Sequence, residues 1–224
     1  MTEICNGIIS SHHSFRWACE GRADPRVNDI FHQLSKAGCD LLMFGIESGS
    51  QRVLDSLDKK TKIPEIEISV DKAKKAGISI IHGFFLVGSP SETAEEIKET
   101  FRFAEKIPVN SFAFGSISAF RGTVLWNDAV SRGLIDDEKD WDKIFPVHTI
   151  YPDALDSRTL FELRAKLMKR LIAQKILKHP IQAAKIFIRF LKCMSAGDVY
   201  RLLTSTKKCA QKPVVDVQPL LPVV

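Results

Sequence analysis

Residues 34–50 read LSKAGCDLLMFGIESGS, and residues 73–92 read AKKAGISIIHGFFLVGSPSE. Both stretches run helix end, glycine, apolar strand, then a turn of Gly and Ser. The KAG triplets fall at 36–38 and 75–77. A glycine just past a periodic segment supplies the left-handed residue on which helices stop. The apolar runs Leu41–Glu47 and Ile78–Val87 show almost no polar alternation, the pattern of strands in a sheet covered on both faces. A β-α unit repeated in series predicts a parallel sheet with right-handed crossovers.

The same grammar extends in both directions. Phe15–Glu20 is a short strand candidate, followed by Asp24-Pro25 as N-cap and first residue of a helix through Ile30, Phe31 and Leu34. Gln51–Leu57 is a short helix, and Pro64 opens another that ends at Gly77. Thr93 and Glu96 form a capping box ahead of a helix with Ile97, Phe101 and Ala104 on one face. Ser111–Ser118 is the last strand candidate. Four strands are too few for a closed eight-fold barrel; an open sheet, a partial barrel or a fragment of either all satisfy the pattern.

The alternation ends after Trp126. Asp136–Trp141 is acidic and loop-like. From Ser157 the chain turns helical and basic, with Leu160, Leu163, Leu167 and Leu171 in one stripe. Pro180 breaks it, a second helix passes through Phe187 and Phe190, and Gly197–Leu203 is a third, shorter segment. Residues 155–224 carry fourteen Lys and Arg against four Asp and Glu, a balance of +10, so the first 154 carry −5 of the net +5. The expected divisions are an α/β part over 1–150, a basic all-helical extension over 151–206, and a disordered tail over 207–224, where three prolines interrupt any helical period.

Composition excludes several classes. No apolar stretch is long enough to span a bilayer, and residues 1–20 lack the apolar core of a signal peptide. The five cysteines at 5, 19, 39, 193 and 209 are odd in number and scattered, which argues for a reducing compartment, the cytoplasm. None has the spacing of a zinc motif or of an iron–sulfur loop. His12, His13 and His82 lack partners at ligand spacing and read as surface or packing residues.

Glu47 sits where ligands bind in parallel sheets, at the carboxyl end of a strand. Its neighbours Gly45, Ser48, Gly49 and Ser50 would serve equally for an ordinary turn around a solvated carboxylate. Arg22 is expected to pair with Glu20 in preference to a ligand carboxylate, and Glu92 to cap a helix or favour its dipole.

Four stretches in this order resemble one family: WACEGRADP (17–25), AGCDLLMFGIESGSQRVLDSLDK (37–59), AGISIIHGFFLVGSPSET (76–93) and FAFGSISAFRGTVLW (112–126). They are similar to the middle and end of the radical S-adenosylmethionine (SAM) barrel, in the branch associated with cobalamin-binding domains. The resemblance implies a partial parallel TIM-like (β/α) barrel, with the four strands equivalent to strands 3–6 of six. It implies reductive cleavage of SAM by a [4Fe–4S] cluster, radical modification or methylation of an unknown substrate, and a reductant such as flavodoxin or ferredoxin. It assigns Glu20, Glu47, Ser48, Gly83 and Gly88 to SAM, and offers no catalytic residue or metal ligand. Cobalamin would come from a domain upstream.

The family's C-x-x-x-C-x-x-C loop is absent from the sequence. The chain opens as the middle of the helix before the third strand, so a fragment, inactive alone, is expected. Without those thiolates nothing holds the iron. The rival expectations are a non-catalytic module that binds a nucleoside or partner, and a self-contained α/β enzyme. The basic helices are read as packing on the barrel, and second as contact with an anionic membrane surface; no nucleic acid is expected.

Overall fold

A computed structural model describes residues 1–11, 14–151, 155–178, 180, 181, 184 and 188. The expected features at His12-His13, Phe187–Leu191, Gly197–Leu203 and the tail lie outside the described residues. Residues 1–174 form one compact unit and 175–224 a second. No helix among the described residues is long and apolar enough to cross a membrane.

The first unit is built on four parallel strands in the order β1-β2-β3-β4: Trp17–Arg22, Cys39–Glu47, Ile80–Val87 and Ser111–Ser116. Helix α1 (Thr2–Ser10) precedes β1. A 3-10 turn (Pro25–Ile30) and α2 (Phe31–Lys36) connect β1 to β2. α3 (Gln51–Ser56) and α4 (Ile63–Lys75) lead to β3, and α5 (Ala94–Lys106) leads to β4. Asp24 does cap Pro25, accepting from the Arg26 amide at 2.9 Å, but the turn it starts is 3-10 before it becomes α. Gly38 (φ 89°) and Gly77 (φ 92°) take the left-handed conformation that ends α2 and α4.

Strand periodicity sorts the sheet into two faces. Leu42, Phe44 and Ile46 on β2 alternate with Leu41, Met43 and Gly45. The first set is buried with Ile81, Phe85, Val87 and Phe114 in one core with residues of α2 to α5. Each such side chain stabilises the fold by about 1.5–3 kcal/mol. Phe85, Phe114 and Phe101 stack in series, with centroids 4.8 and 3.9 Å apart. Leu160 and Leu171 of α8 (Ser157–Lys178) join this core, with Leu163 and Leu167 packed against it.

The other face is different. Ala18, Glu20 and Arg22 are exposed, and Leu41, Met43, Gly45, Ile80, Phe84, Leu86, Ala113 and Gly115 are half-buried. The unbroken apolar runs suggested a sheet covered on both faces; helices cover one. The second row is apolar because it too is withdrawn from bulk solvent, His82 being buried within it and Leu86 packing against a second core. β1 also runs two residues beyond Glu20, so Glu20 lies within the strand and not at its end.

Past β4 the chain builds a second small core absent from the sequence reading. Strand β5 (Ser118–Ala119) pairs antiparallel with β6 (Phe145–Pro146), flanked by α6 (Val124–Ser131) and α7 (Val147–Ile150). Ile117, Ala119, Trp126, Ala129, Ile135, Val147 and Tyr151 fill it, and Leu57 and Leu86 pack against it.

Two glycines predict opposite effects. A Cβ on Gly49 would lie 2.5 Å from the Phe103 Cβ and 2.8 Å from the Thr100 Cα, so Gly49→Ala lowers stability by about 2 kcal/mol. Gly7 lies within α1 with open space around it, so Gly7→Ala raises stability by about 0.5–1 kcal/mol. Urea unfolding monitored by circular dichroism checks both signs.

Candidate functional site

β2 ends in a distortion. Its pairing with β3 shifts between Gly45 and Glu47, and Glu47 sits at φ 69°. A bulge at a strand end re-aims the side chain that follows it. A left-handed backbone costs a non-glycine residue about 1 kcal/mol or more. The strained Glu47 directs its carboxylate to Lys59, whose Nζ donates to Oε1 at 2.7 Å. Both side chains are at most one-fifth exposed. The pair lies over Gly45, where an added Cβ would stand 2.8 Å from the Glu47 Oε1 and 3.2 Å from the Lys59 Nζ. Gly45 belongs to the open face, between Arg22 of β1 and Phe84 of β3. The ion pair therefore occupies the carboxyl end of that face, where a parallel sheet offers a ligand site.

The Lys59 loop is held at several points. The Lys59 amide donates to the Leu54 carbonyl at 3.0 Å, and its carbonyl accepts from the Arg22 guanidinium at 2.6 Å and from Thr61 Oγ1 at 3.3 Å. Asp58 (φ 51°) and Lys60 (φ 52°) on either side are both left-handed. Arg22 also approaches Asp24 at 3.9 Å. It thus reaches the Lys59 carbonyl and Asp24 rather than Glu20.

The turn after Glu47 is braced from behind. Ser48 is fully buried, its hydroxyl 2.9 Å from the Thr100 Oγ1 and accepting from the Ser50 amide at 3.0 Å. The Gly49 amide donates to the same Thr100 oxygen. Arg52 of α3 grips the Glu96 carboxylate of α5 at 2.6 Å, and that guanidinium holds the Glu96 carboxyl down to about 2. Glu96 also closes the expected box with Thr93.

At the end of β3, Gly88 (φ 82°) and Ser91 (φ 58°) shape the loop to α5. Glu92 is the residue whose role the sequence reading missed. Its Oε2 accepts from the Gly88 and Ser89 amides at 2.6 and 3.0 Å, while Oε1 is buried with no hydrogen-bond partner. Burial pushes its carboxyl up to about 7, against the pull of those two amides. Glu92 ties the strand end to the start of α5; only the acidic residue four positions past Gly88 hinted at it.

The sequence-derived set is thus not one cluster. Glu47 is joined by Lys59, which the sequence did not single out. Glu20 faces outward on β1, beside a cavity of about 490 Å³ lined also by Arg22, Arg26 and Asp29. Ser48 points into the α5 contact. Gly83 is covered on the helix side by Phe85 and Ile46, whose side chains would lie 2.9 and 3.0 Å from an added Cβ. His82 is buried, donor or acceptor to Ser111 at 2.9 Å, with burial pushing it down to about 4.

A parallel β/α sheet with helices on one face is the arrangement of a partial barrel. Residues 9–104 match the family model of the radical SAM superfamily. It is 35% identical over 117 residues to an uncharacterised methyltransferase of Pyrococcus horikoshii, covering 50% of this chain and 25% of that protein. It is 28% identical over 163 residues to the cytidylyl-2-hydroxyethylphosphonate methyltransferase of Streptomyces wedmorensis, covering 69% of this chain and 30% of that protein. The chain spans less than a third of either relative. Coproporphyrinogen III oxidase from Escherichia coli, a radical SAM enzyme, superposes with a TM-score of 0.55 at 13% identity, over 78% of this chain and 37% of that one. That likeness supports the partial TIM-like barrel.

A [4Fe–4S] cluster does not fit the described residues. Cys5, Cys19 and Cys39 are free, the Cys19 and Cys39 sulfurs 3.7 Å apart. Yet no group of three or more His, Cys, Asp or Glu among the described residues could hold a metal.

Glu92 predicts a pH signature. Its folded value lies above the ordinary carboxyl value, so between about 4.5 and 7 the folded state holds a proton the unfolded state has lost. This contribution is present below pH 4.5 and disappears as pH rises through 7. In Glu92→Gln the stability curve is flatter over pH 4.5–7 than in the parent, measured by urea unfolding across that range; parallel curves would refute the buried, protonated state.

Proposed function

We propose that this chain is the SAM-binding half of a radical SAM enzyme of the cobalamin-associated type. The observation that carries the reading is the Glu47–Lys59 pair at the carboxyl end of the open face. Glu47 accepts hydrogen bonds from the amino group or the ribose of SAM. Gly88, which lacks a side chain and whose backbone amide is engaged by Glu92, lets the nucleoside approach the end of β3; Glu20 contributes from β1. Ser48 and Gly83 act by shaping the strands that carry this surface. SAM, when bound, brings an electrophilic sulfonium and the methyl and 5′-deoxyadenosyl groups attached to it. The chain's own residues bind and orient it.

The reaction class is methylation or another radical modification. It draws support from the superfamily and from relatives that are methyltransferases by name. The substrate is a small molecule or a macromolecule, and a flavodoxin or ferredoxin supplies electrons. Because the sequence holds no C-x-x-x-C-x-x-C and the described residues offer no three-ligand site, the cluster comes from thiolates outside this chain. Cobalamin likewise belongs to another domain, and the chain alone is inactive. The first helix of the basic extension packs on the sheet through Leu160, Leu163, Leu167 and Leu171, with contact to an anionic membrane surface as the second reading of its charge. The same absence of thiolates favours a second reading, a nucleoside-binding module with no radical step.

Isothermal titration of the chain with SAM tests the proposal. Glu47→Ala is expected to weaken binding about tenfold or more, the worth of a hydrogen bond to a charged group. Equal affinity in parent and variant would remove Glu47 from the site. Anaerobic iron–sulfur reconstitution beside a version extended upstream separates the two readings: cluster uptake and 5′-deoxyadenosine from the extended version alone support the enzyme.

A further inference from the structure

Two thiols meet between β1 and β2. The Cys19 and Cys39 sulfurs are 3.7 Å apart, within reach of a sulfur hydrogen bond, and both cysteines are free. The two positions do not face each other across the sheet. Cys39 is the register partner of Trp17, and Cys19 that of Leu42. The side chains therefore lean toward one another along the strands. The pairing is irregular between Trp17 and Ala18, just before Cys19.

The two sulfurs differ in their surroundings. Cys39 is buried, and its sulfur also lies 3.5 Å from the Leu41 carbonyl oxygen. Cys19 is half-buried and borders the cavity of about 490 Å³. Glu20, Arg22, Arg26 and Asp29 line the same cavity, so its charges balance. A small polar reagent can reach Cys19 from this side, while Cys39 stands behind it. The acidities follow the same division. A hydrogen bond from Cys39 holds the Cys19 thiol below its ordinary value, against the effect of burial. Cys39 is pushed up by that same hydrogen bond and by burial. Cys5 is fully buried, and desolvation pushes it up as well. One reachable sulfur is thus biased toward thiolate, with a protonated sulfur in contact. Oxidation-sensitive cysteines and their resolving partners share this arrangement, whereas buried structural cysteines are inert.

We propose that Cys19 is a peroxide-sensitive nucleophile and Cys39 its resolving thiol. The Cys19 thiolate attacks one oxygen of hydrogen peroxide: an S–O bond forms, the O–O bond breaks, and hydroxide leaves. The Cys39 sulfur then attacks the sulfenic sulfur and gives up its proton. An S–S bond forms, the S–O bond breaks, and water leaves. Two thiols are oxidised to one disulfide, and one peroxide is reduced to two waters. Bringing offset sulfurs from contact to bonding distance needs local backbone movement, and the irregular pairing at Trp17 and Ala18 is where β1 supplies it. In a reducing compartment such a bond is transient, as redox-sensing disulfides are. The site stands whether or not the chain binds SAM.

The test uses the full chain carrying Cys193→Ser and Cys209→Ser, which leaves Cys5, Cys19 and Cys39. It is treated with hydrogen peroxide, alkylated and read by peptide mass spectrometry. A Cys19–Cys39 disulfide that dithiothreitol reverses is expected, with Cys19 consumed about tenfold or more faster than Cys5. In Cys39→Ser the reaction stops at the sulfenic acid, and dimedone labels Cys19 alone. In Cys19→Ser no disulfide forms and Cys39 keeps its thiol. A Cys19 that packs as an inert hydrophobe would react no faster than Cys5, which overturns the proposal. So does a dimedone adduct on Cys5 or Cys39 ahead of Cys19. Oxidation of Cys19 with no disulfide to Cys39 overturns the resolving role. If a serine variant does not fold, the alanine variant and the relative rates of the three thiols still decide the matter.

Discussion

A strand sends successive side chains to opposite faces, and the rest of this structure follows from what each face meets. On β2, Leu42, Phe44 and Ile46 face the helices and are buried to within two per cent. Their neighbours Leu41, Met43 and Gly45 face the other side and are half-buried. The helices pack on only one side because the crossovers share one hand and the strands are added in chain order, β1 to β4. The second side stays available, and it is there that the charged pair stands. Stability and ligand access are thus assigned to different residues of the same strand, one position apart.

The end of β2 shows how this division is enforced. The bulge at Ile46 and the left-handed Glu47 bring a charged side chain round to the open face while Ile46 remains in the core. Behind the turn, Thr100 receives Ser48 and Gly49, and Arg52 ties α3 to Glu96 on α5. At the end of β3, the buried Glu92 does similar work for the Gly88 loop. Strain of this sort persists only where the surroundings hold it, and here two braced turns flank the site.

Much of the fold was legible in the sequence because it rests on local chemistry. Gly38 and Gly77 stop helices where only a left-handed residue fits, and Thr93 with Glu96 starts one by pairing orphan amides. Strand order and parallel pairing follow from the repeat. The second core was not legible: Trp126 sits in α6 and its indole donates to Asp137 at 2.7 Å, a contact set by the way β5 and β6 fold back rather than by any period. The open face was also misread, since a half-buried strand face and a fully covered one are equally apolar.

For the site, the sequence by itself determined that a carboxylate, Glu47, would fall at the carboxyl end of a parallel strand amid small residues. Period and turn chemistry suffice for that. Only the tertiary structure decided its partner. Lys59 lies twelve residues on, across a helix and a strained loop, and no local rule brings its ammonium over Gly45. Likewise Ser48 and Gly83 carry the right residue types beside the right strands, but their surroundings are Thr100, Phe85 and Ile46. Sequence spacing fixes which residues share a strand end; packing from distant elements fixes which of them a ligand can reach.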